Sequence, residues 1–305
     1  MKPKIVVIGS ANTDMVVQVV HLPQAGETVL GNNFMTAQGG KGANQAVAAA
    51  RLGAEVTFVA RLGMDSFGAE SVAAYQAEGI NTDYIIRDRE APSGAALIMV
   101  NQSAENIIAV ASGANARLSP EDVLAAEDVI AAAQYILLQL EIPIHTVETA
   151  VKLAKKHGVH VILNPAPAVR LPPDLLKAVD VLTPNENEAA ILAGEISAAD
   201  TKDAASYLSI MSGVQTLVVT MGARGAYIIH HGKRIDVPPH PVHAIDTTAA
   251  GDAFNGALAV ALARGETLAD AVRFANAAGA LTTTKRGAQP SLPVLAEVEA
   301  FMVHA

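Results

Sequence analysis

Residues 134–164, QYILLQLEIPIHTVETAVKLAKKHGVHVILN, contain the pattern that decides the fold. QYILLQ (134–139) and HVILN (160–164) are short, β-rich apolar runs, which are typical of strands buried on both faces. The longer segment between them, 145–157, predicts a helix that Gly158 ends. A buried strand, a helix and a second buried strand indicate a parallel sheet covered by helices.

The same alternation continues on both sides of this stretch. Further strands are predicted at 4–9, 55–60, 180–183 and 215–220. Further helices are predicted at 42–52, 66–78, 119–132, 186–194, 201–211, 252–264 and 267–284, followed by a short tail helix. The chain is therefore predicted to be an α/β protein with a mainly parallel sheet that carries helices on both faces.

Two segments interrupt this alternation and predict antiparallel strands joined by polar turns. The first pairs MVVQVV (15–20) with TVLGNNFMTAQ (28–38), and the second pairs GAALIMV (94–100) with NIIAV (106–110). Together they predict a small sheet beside the main one, as either a flap over a cleft or an edge decoration. No repeat or low-complexity linker is visible, so residues 1–305 are predicted to form one compact domain.

Composition limits the classes of function. The chain has 305 residues, 51% of them hydrophobic, which is enough apolar material for one large core. Its net charge of −9 argues against a nucleic-acid or acidic-membrane partner, and its lack of cysteine suits a reducing compartment. The apolar run 5–8 is too short for a signal-peptide core, and no apolar segment approaches the roughly 18–20 residues that span a bilayer. We therefore expect a soluble, cytoplasmic protein.

Polar stretches follow several predicted strands, where an open α/β sheet usually binds its ligand. In QGGKGANQ (38–45), two glycines allow close backbone approach, and Lys41 and Asn44 lie at the start of a helix. Together with Asn12 and Asp14 they predict a polyhydroxylated ligand, because vicinal hydroxyl groups need both donors and acceptors. The structural alternative is a flexible turn that leads into a core helix.

Carboxylates at two other strand ends have structural and functional interpretations. Glu141 is either a helix-cap partner or a ligand contact. Asn185 and Glu188 have the spacing of a capping box, and the alternative is a carboxylate that holds Mg²⁺ near phosphates. The nine histidines show no metal-ligand spacing and receive no role.

Two glycine-rich turns, TMGARG (220–225) and the start of DTTAAGDAFNGALAVAL (246–262), fit the cradling of phosphate oxygens. Asp252 directly follows Ala-Ala-Gly at the start of an apolar helix. A carboxylate there either caps the helix or acts on a ligand bound to the neighbouring amides.

The stretches QGGKGANQAVAAARLG (38–53) and DTTAAGDAFNGALAVAL (246–262) together resemble the ribokinase branch of the PfkB carbohydrate kinase family. The resemblance covers nearly the whole chain and implies ATP-dependent phosphorylation of D-ribose at O5 to D-ribose 5-phosphate. It implies Mg²⁺ and a monovalent cation, usually K⁺, as cofactors. It also implies a doubly wound sheet with a small β-sheet lid, formed from about 14–38 and 93–111, that covers the sugar and commonly joins a homodimer.

Matched position by position, the resemblance implies three sets of site residues. The sugar would be bound by Asn12, Asp14, Gly40, Lys41, Asn44, Glu141 and Asp252. ATP would be bound by Asn185, Glu188, Thr220, Met221, Gly222, Ala223, Arg224, Gly225, Gly251 and Asn276, with Glu188 tied to Mg²⁺ and phosphate. The monovalent cation would be held, largely by carbonyl oxygens, at Asp246, Thr248, Thr282, Lys285, Gly287 and Ser291.

In this scheme Asp252 is the base that accepts the sugar proton late in the reaction, and the amides of Ala249, Ala250 and Gly251 form an anion hole. The helix dipole is expected to favour ionised Asp252 and to weaken it as a base. Relatives often have glycine where this chain has Ala249, and alanine is tolerable there if φ is negative.

Two alternatives remain. The first is another PfkB-family kinase, for a different sugar or a nucleoside. A nucleoside would favour aromatic partners, and between Asn12 and Asn44 the one aromatic residue is Phe34. The second is a catalytically silent sugar sensor, against which the retained Asp252 argues.

Overall fold

A computed structural model of the protein describes residues 2–103, 105–194, 205–206, 208–209 and 213–304. The strands are β1 (Lys4–Ile8), β2 (Asn12–Val19), β3 (Gly31–Gly39), β4 (Glu55–Gly63), β5 (Ile85–Asp88), β6 (Gly94–Val100), β7 (Asn106–Ala111), β8 (Tyr135–Leu138), β9 (His160–Leu163), β10 (Val181–Leu182), β11 (Thr216–Thr220), β12 (Ala226–His230) and β13 (Lys233–Val237). The helices are α1 (Lys41–Arg51), α2 (Ser66–Ala77), α3 (Pro120–Leu124), α4 (Glu127–Ala131), α5 (Ile144–Lys156), α6 (Pro173–Ala178), α7 (Glu186–Leu192), α8 (Ala250–Ala263), α9 (Leu268–Thr282) and α10 (Leu295–His304).

The main sheet has nine strands in the order β13-β12-β11-β10-β9-β8-β1-β4-β5. The strands from β11 to β5 run parallel, and the β12–β13 hairpin adds two antiparallel strands at one edge. The predicted fold class, a mainly parallel sheet flanked by helices with a second small sheet, is confirmed. Within the described ranges, we find no helix with the length and apolar character needed to cross a membrane.

Strand β1 shows how the sheet is buried on both faces. Ile5 and Val7 belong to one hydrophobic core with residues of α1, α8 and α9, whereas Val6 and Ile8 belong to the core on the opposite face. Because successive side chains of a strand point to opposite faces, a strand with no polar alternation is stable only between two apolar layers.

The second sheet has four strands in the order β3-β2-β6-β7. The pairs β2–β3 and β6–β7 are antiparallel, and the parallel pair β2–β6 joins them. The two predicted hairpins thus unite in one small sheet, as the pattern predicted.

Some element boundaries differ from the prediction. The single helix predicted at 119–132 is two short helices, α3 and α4, separated at Ala125 and Ala126. No glycine or proline marks that break, so periodicity could not reveal it. The helix predicted at 201–211 lies mostly outside the described residues, although 205–206 and 208–209 are helical.

Helices α1 and α8 lie unusually close together. A methyl group at Gly256 would lie 2.7 Å from Ala48 Cβ and 3.0 Å from both the Ala49 nitrogen and the Gln45 carbonyl oxygen. Only glycine fits this contact without displacing backbone. The contact brings the first turns of both helices to one edge of the sheet.

An ion-pair cluster lies where the chain enters and leaves the second sheet. The buried Asp88 carboxylate accepts hydrogen bonds from Arg61 Nε at 2.7 Å and from the Glu90 and Ala91 amides, and it pairs with Arg117 at 3.0 Å. The Glu90 amide and the Arg61 guanidinium hold the pKa of Asp88 well below its usual value, despite the opposing effect of burial.

We predict that Asp88→Asn destabilises the protein by about 2 kcal/mol, because the variant removes the buried charged acceptor of Arg61 and Arg117, although Asp122 and Glu90 still pair with them. A carboxyl group whose pKa is depressed by folding stabilises the native state above its ordinary pKa of 3.8, and this contribution is lost as the pH falls below it. Urea unfolding at pH 7 and pH 3.5 measures both effects. The difference in the free energy of unfolding between wild type and variant should be smaller at pH 3.5. An equal difference at both pH values would contradict a depressed pKa of Asp88.

Candidate active site

Asp252 is the third residue of α8 and is 6% exposed. Its side chain makes no capping hydrogen bond. Instead its Oδ2 accepts from Asn44 Nδ2 at 2.9 Å, and its Oδ1 accepts from Gln45 Nε2 at 3.0 Å. The interpretation of Asp252 as a helix cap is therefore wrong.

Burial raises the pKa of Asp252 above its ordinary value. The Lys41 ammonium and the hydrogen bonds from Asn44 and Gln45 oppose this shift, and the Glu141 carboxylate adds to it. The expectation that the helix dipole would weaken Asp252 as a base is wrong, because desolvation outweighs the groups that favour ionisation.

The start of α1 is held against the ends of two strands. Gly40, with φ +88°, precedes the helix, and a methyl group there would lie 2.7 Å from the Asn12 nitrogen. Glu141 Oε2 accepts from the Lys41 amide at 3.1 Å and from Ser10 Oγ at 2.5 Å. Glu141 thus binds a free amide of the first turn of α1, as the helix-cap interpretation predicted.

Several carboxylates surround one ammonium group. Burial would lower the pKa of Lys41, but the carboxylates of Asp252, Glu141 and Glu188 raise it overall. Burial, together with Glu141 and Asp252, raises the pKa of Asp14 to about 6. Lys41 is therefore charged at neutral pH within an otherwise acidic pocket.

A cavity of about 450 Å³, called the polar cavity here for its four polar lining residues, includes Asn12 and Glu141 of the predicted sugar set. Its lining does not include the other five residues of that set, Asp14, Gly40, Lys41, Asn44 and Asp252. Asn12 Oδ1 accepts from Asn115 Nδ2 at 2.7 Å, and both residues are buried. The polar cavity is lined by Asn12, Val110, Ser112, Asn115, Ala116, Leu140, Glu141, Ile142, Pro143 and Pro167.

A second, largely apolar cavity of about 410 Å³ lies at the start of α8. It brings together six residues predicted for the nucleotide, Thr220, Gly222, Ala223, Gly225, Gly251 and Asn276. It is also lined by Pro239, His240, Pro241, Val242, Ala244, Thr247, Ala250, Phe254, Gly279, Ala280 and Thr283. The size and apolar character of the cavity suit a heterocyclic base.

Four other residues predicted for the nucleotide lie outside this lining. Met221 packs against the core, and the exposed Arg224 pairs with Glu186 at 2.5 Å. Asn185 and Glu188 form the predicted capping box at the start of α7, with both hydrogen bonds at 2.8 Å. Burial raises the pKa of Glu188, although the Asn185 amide and Lys41 oppose the shift.

The residues predicted for a monovalent cation fall in one loop region at the end of α9. Asp246 Oδ1 accepts from the Thr248 amide and hydroxyl, and Oδ2 accepts from the Gly287 amide at 2.9 Å. Three other side chains of the set donate hydrogen bonds within the protein. The Thr282 and Ser291 hydroxyl groups donate to the Ala278 and Ala288 carbonyls, and the Lys285 ammonium donates to the Glu297 carboxylate. In the described part of the chain, no three His, Cys, Asp or Glu side chains cluster as a metal site.

Ala249 adopts a left-handed conformation, with φ +60° and ψ +7°. The condition under which alanine was expected to be tolerable there, a negative φ, is therefore not met. A non-glycine residue in this region carries steric strain, and such strain often occurs at functional sites.

Comparison with known proteins places this geometry in a family. The pfkB family carbohydrate kinase model matches residues 2–295. Ribokinase from Haemophilus influenzae is 45% identical over 307 residues, with complete coverage of both chains. The solved structure of Arabidopsis thaliana ribokinase complexed with ribose and ATP is 34% identical, with a TM-score of 0.90 and 99% coverage of each chain. Deoxyribokinase from Salmonella typhi is 37% identical over 300 residues, with 98% of each chain covered.

The architecture of the two sheets matches that of solved ribokinases, which are sugar phosphotransferases. The chain belongs to the pfkB family of carbohydrate kinases. The resemblance to the ribokinase branch, predicted from sequence motifs, is confirmed.

Sequence reasoning missed several residues that contact the predicted ones. Gln45 lies within the quoted GGKGANQ motif, and its position next to Asn44 was a signal that could have been used. No local signal marked Ser10 or Asn115. Ser10 contacts Glu141, 131 positions away, and Asn115 contacts Asn12, 103 positions away.

We predict that Ala249→Gly stabilises the protein by about 0.5 kcal/mol, because removal of the left-handed strain outweighs the added freedom of the unfolded chain. Ala250→Gly is the matched control, since Ala250 is the first residue of α8 and the same change should destabilise by about 0.5–1 kcal/mol. Urea unfolding of both variants measures the difference. A loss of stability in Ala249→Gly equal to that of the control would contradict the strain.

Proposed function

We propose that this protein transfers the γ-phosphoryl group of ATP to O5 of D-ribose, which yields D-ribose 5-phosphate. The observation that carries the proposal is Asp252, a buried carboxylate that Asn44 and Gln45 hold directly after two residues that line the apolar cavity. Ala250 and Gly251, the two residues before it, line the apolar cavity. A phosphate bound at their amides would face a hydroxyl group bound at Asp252.

The polar side chains around Asp252 provide the donors and acceptors that a pentose requires. Asn44 Oδ1 is buried and, among the described residues, has no hydrogen-bond partner, so it can accept from a sugar hydroxyl. Asp14 and Glu141 provide further acceptors, and Lys41 provides donors. Gly40 allows the sugar to approach the backbone at the start of α1.

Asp252 would accept the proton of O5 as the new P–O bond forms. Burial raises the pKa of Asp252, so its ionised form is a stronger base than an exposed aspartate, and the Lys41 ammonium favours that ionised form. The transition state of phosphoryl transfer is loose, so most of the rate comes from positioning and charge stabilisation. The amides of Ala249, Ala250 and Gly251 would supply that stabilisation as an anion hole.

ATP would place its base in the apolar cavity, near Asn276 and the turn formed by Thr220, Gly222, Ala223 and Gly225. Glu188 is the carboxylate that would hold Mg²⁺ through water, because its Oε2 is used in the capping box and Oε1 remains for a further partner. When bound, Mg²⁺ neutralises charge on the phosphate oxygens.

A monovalent cation would bind the loop that Asp246 closes. Its carboxylate links Thr248 to Gly287, and the Ile245 and Asp246 amides both donate to the Thr283 carbonyl. A loop fixed in this way can present carbonyl oxygens inward, and these are ligands that suit K⁺. This loop leads directly into the anion-hole segment, so a cation held there would favour the productive conformation of that segment.

The second sheet would act as a lid over the sugar and as the contact of a homodimer. Its strands largely coincide with the segments expected for the lid, although β2 begins at Asn12 and β3 ends at Gly39. Asn12 also lines the polar cavity. The sheet exposes large apolar side chains, among them Phe34, Leu97 and Ile108, each more than half exposed. Such a patch favours association with a second copy of the chain.

The alternative substrate within the family is 2-deoxy-D-ribose, and the 37% identical deoxyribokinase is the observation that favours testing it. Initial rates of ATP-dependent phosphorylation across D-ribose, 2-deoxy-D-ribose, fructose and adenosine separate the candidates. A higher kcat/KM for deoxyribose than for ribose would replace the proposed substrate. Sugar binding without turnover of any candidate would favour the sensor alternative.

We predict that Asp252→Asn lowers kcat by about 10³-fold and leaves ribose affinity within a few-fold of wild type, because the base is lost and the shape is kept. Asp270→Asn is the matched control, since Asp270 is the third residue of α9 and is exposed. Coupled ADP release measures turnover, and calorimetry measures binding. Near-normal turnover in Asp252→Asn would contradict the assigned base.

We also predict that K⁺ activates the enzyme more than Na⁺ at equal ionic strength, since a carbonyl-lined loop suits the larger ion. The Asp246→Ala variant should lose this difference, because its loop is no longer closed. The measurement is initial rate against salt concentration in buffers free of trace K⁺. Equal activation by both ions in the wild type would remove the cation assignment.

A further inference from the structure

A network of buried amide side chains contacts Asp252. Gln139 Nε2 donates to Gln45 Oε1 at 2.6 Å. Gln45 Nε2 in turn donates to Asp252 Oδ1 at 3.0 Å and to Asn164 Oδ1 at 3.2 Å. Gln45 and Gln139 are fully buried, and Asn164 is 7% exposed.

This arrangement gives Gln45 one orientation. Its oxygen must accept from Gln139, so its NH₂ group must face the two oxygens of Asp252 and Asn164. A reversed amide would place the Gln45 oxygen against the oxygens of Asp252 and Asn164, and its NH₂ group against that of Gln139, which is costly where water cannot intervene. Gln45 is therefore held as a donor to Asp252.

Through Asn164, the same hydrogen-bond network extends to α8, the helix that carries Asp252. Asn164 Nδ2 donates to the Thr183 carbonyl at 3.1 Å, and Thr183 Oγ1 donates to Asn255 Oδ1 at 2.6 Å. Asn255 Nδ2 then donates to the Gly251 carbonyl at 2.8 Å. The network thus contacts both Asp252 and Gly251, the residue before it.

We propose that Gln45 is a positioning residue for phosphoryl transfer, which holds Oδ1 of Asp252 as an ionised acceptor. Oδ2, whose one donor among the described residues is Asn44, is then left to bind the substrate hydroxyl. The inference rests on the proposed function of Asp252 and assigns Gln45 a part in it.

The charged groups around Asp252 define what loss of Gln45 should do. Lys41 on α1 favours ionised Asp252, whereas Glu141 after β8, Asp14 on β2 and Glu188 on α7 favour its neutral form. A donor to the charged form lowers the pKa of a carboxyl group, so its removal raises that pKa. The protonated, inactive base would then persist to higher pH.

The test is the pH dependence of the single-turnover rate with D-ribose and ATP in Gln45→Met, which keeps length and loses the donor. The rate at pH 7 should fall about 10–100-fold with the KM for ribose nearly unchanged. The acidic limb of the profile should move up by about one pH unit. Gln45→Glu, which places a second carboxylate beside Oδ1, should move it further.

Thr216→Val is the structural control. Thr216 is buried and hydrogen-bonded to His230, and it lies at the start of β11, at the opposite end from Thr220 in the nucleotide cavity. This variant should lose stability without a shift of the pH profile. An unshifted profile in both Gln45 variants, whatever their rates, would overturn the positioning role.

A double-mutant cycle separates this inference from the function beneath it. In an Asp252→Asn background, Gln45→Met should cause little further loss of rate, because the group it positions is gone. A full additional loss would overturn the inference while leaving Asp252 as the base. A wild-type enzyme that turns over no sugar would instead overturn the proposed function.

Discussion

The close contact between α1 and α8 is the constraint on which the site depends. Gly256 lets α8 approach the backbone of α1 so closely that a single methyl group would collide with Ala48 and Ala49. At this separation the amides of Asn44 and Gln45 reach both oxygens of Asp252. A wider spacing would leave a buried carboxylate without donors, which would cost far more than the lost apolar contacts.

The electrostatics of the pocket follow from that contact. Burial favours neutral Asp252, and the nearby carboxylates add to this tendency. Lys41 and the two amide donors act in the opposite direction and favour the ionised carboxylate. A pocket with more acidic groups than basic ones is consistent with a neutral polyhydroxylated substrate and with phosphate binding limited to amides and a divalent cation.

The start of α8 is also where the backbone is strained. Ala249 is held at φ +60° immediately before the amides that we propose as the anion hole. The strain is small beside the packing of α8, in which Asp252 to Ala261 are all buried. A rigid helix can therefore impose a conformation that alanine alone disfavours.

The sequence by itself determined the fold class, the two hairpins and the motifs at Gly40, Lys41, Asn44 and Asp252, because periodicity and turn residues are local properties of the chain. Only the tertiary structure decided that Asp252 is buried and accepts hydrogen bonds from α1, and that its pKa is raised. The tertiary structure also decided that Gln45, Gln139 and Asn164 form a hydrogen-bond network that contacts it. The hydrogen bonds among these residues join positions 94 to 207 residues apart. Desolvation and long-range hydrogen bonds arise only when the strands and helices pack together, so no local pattern could encode them.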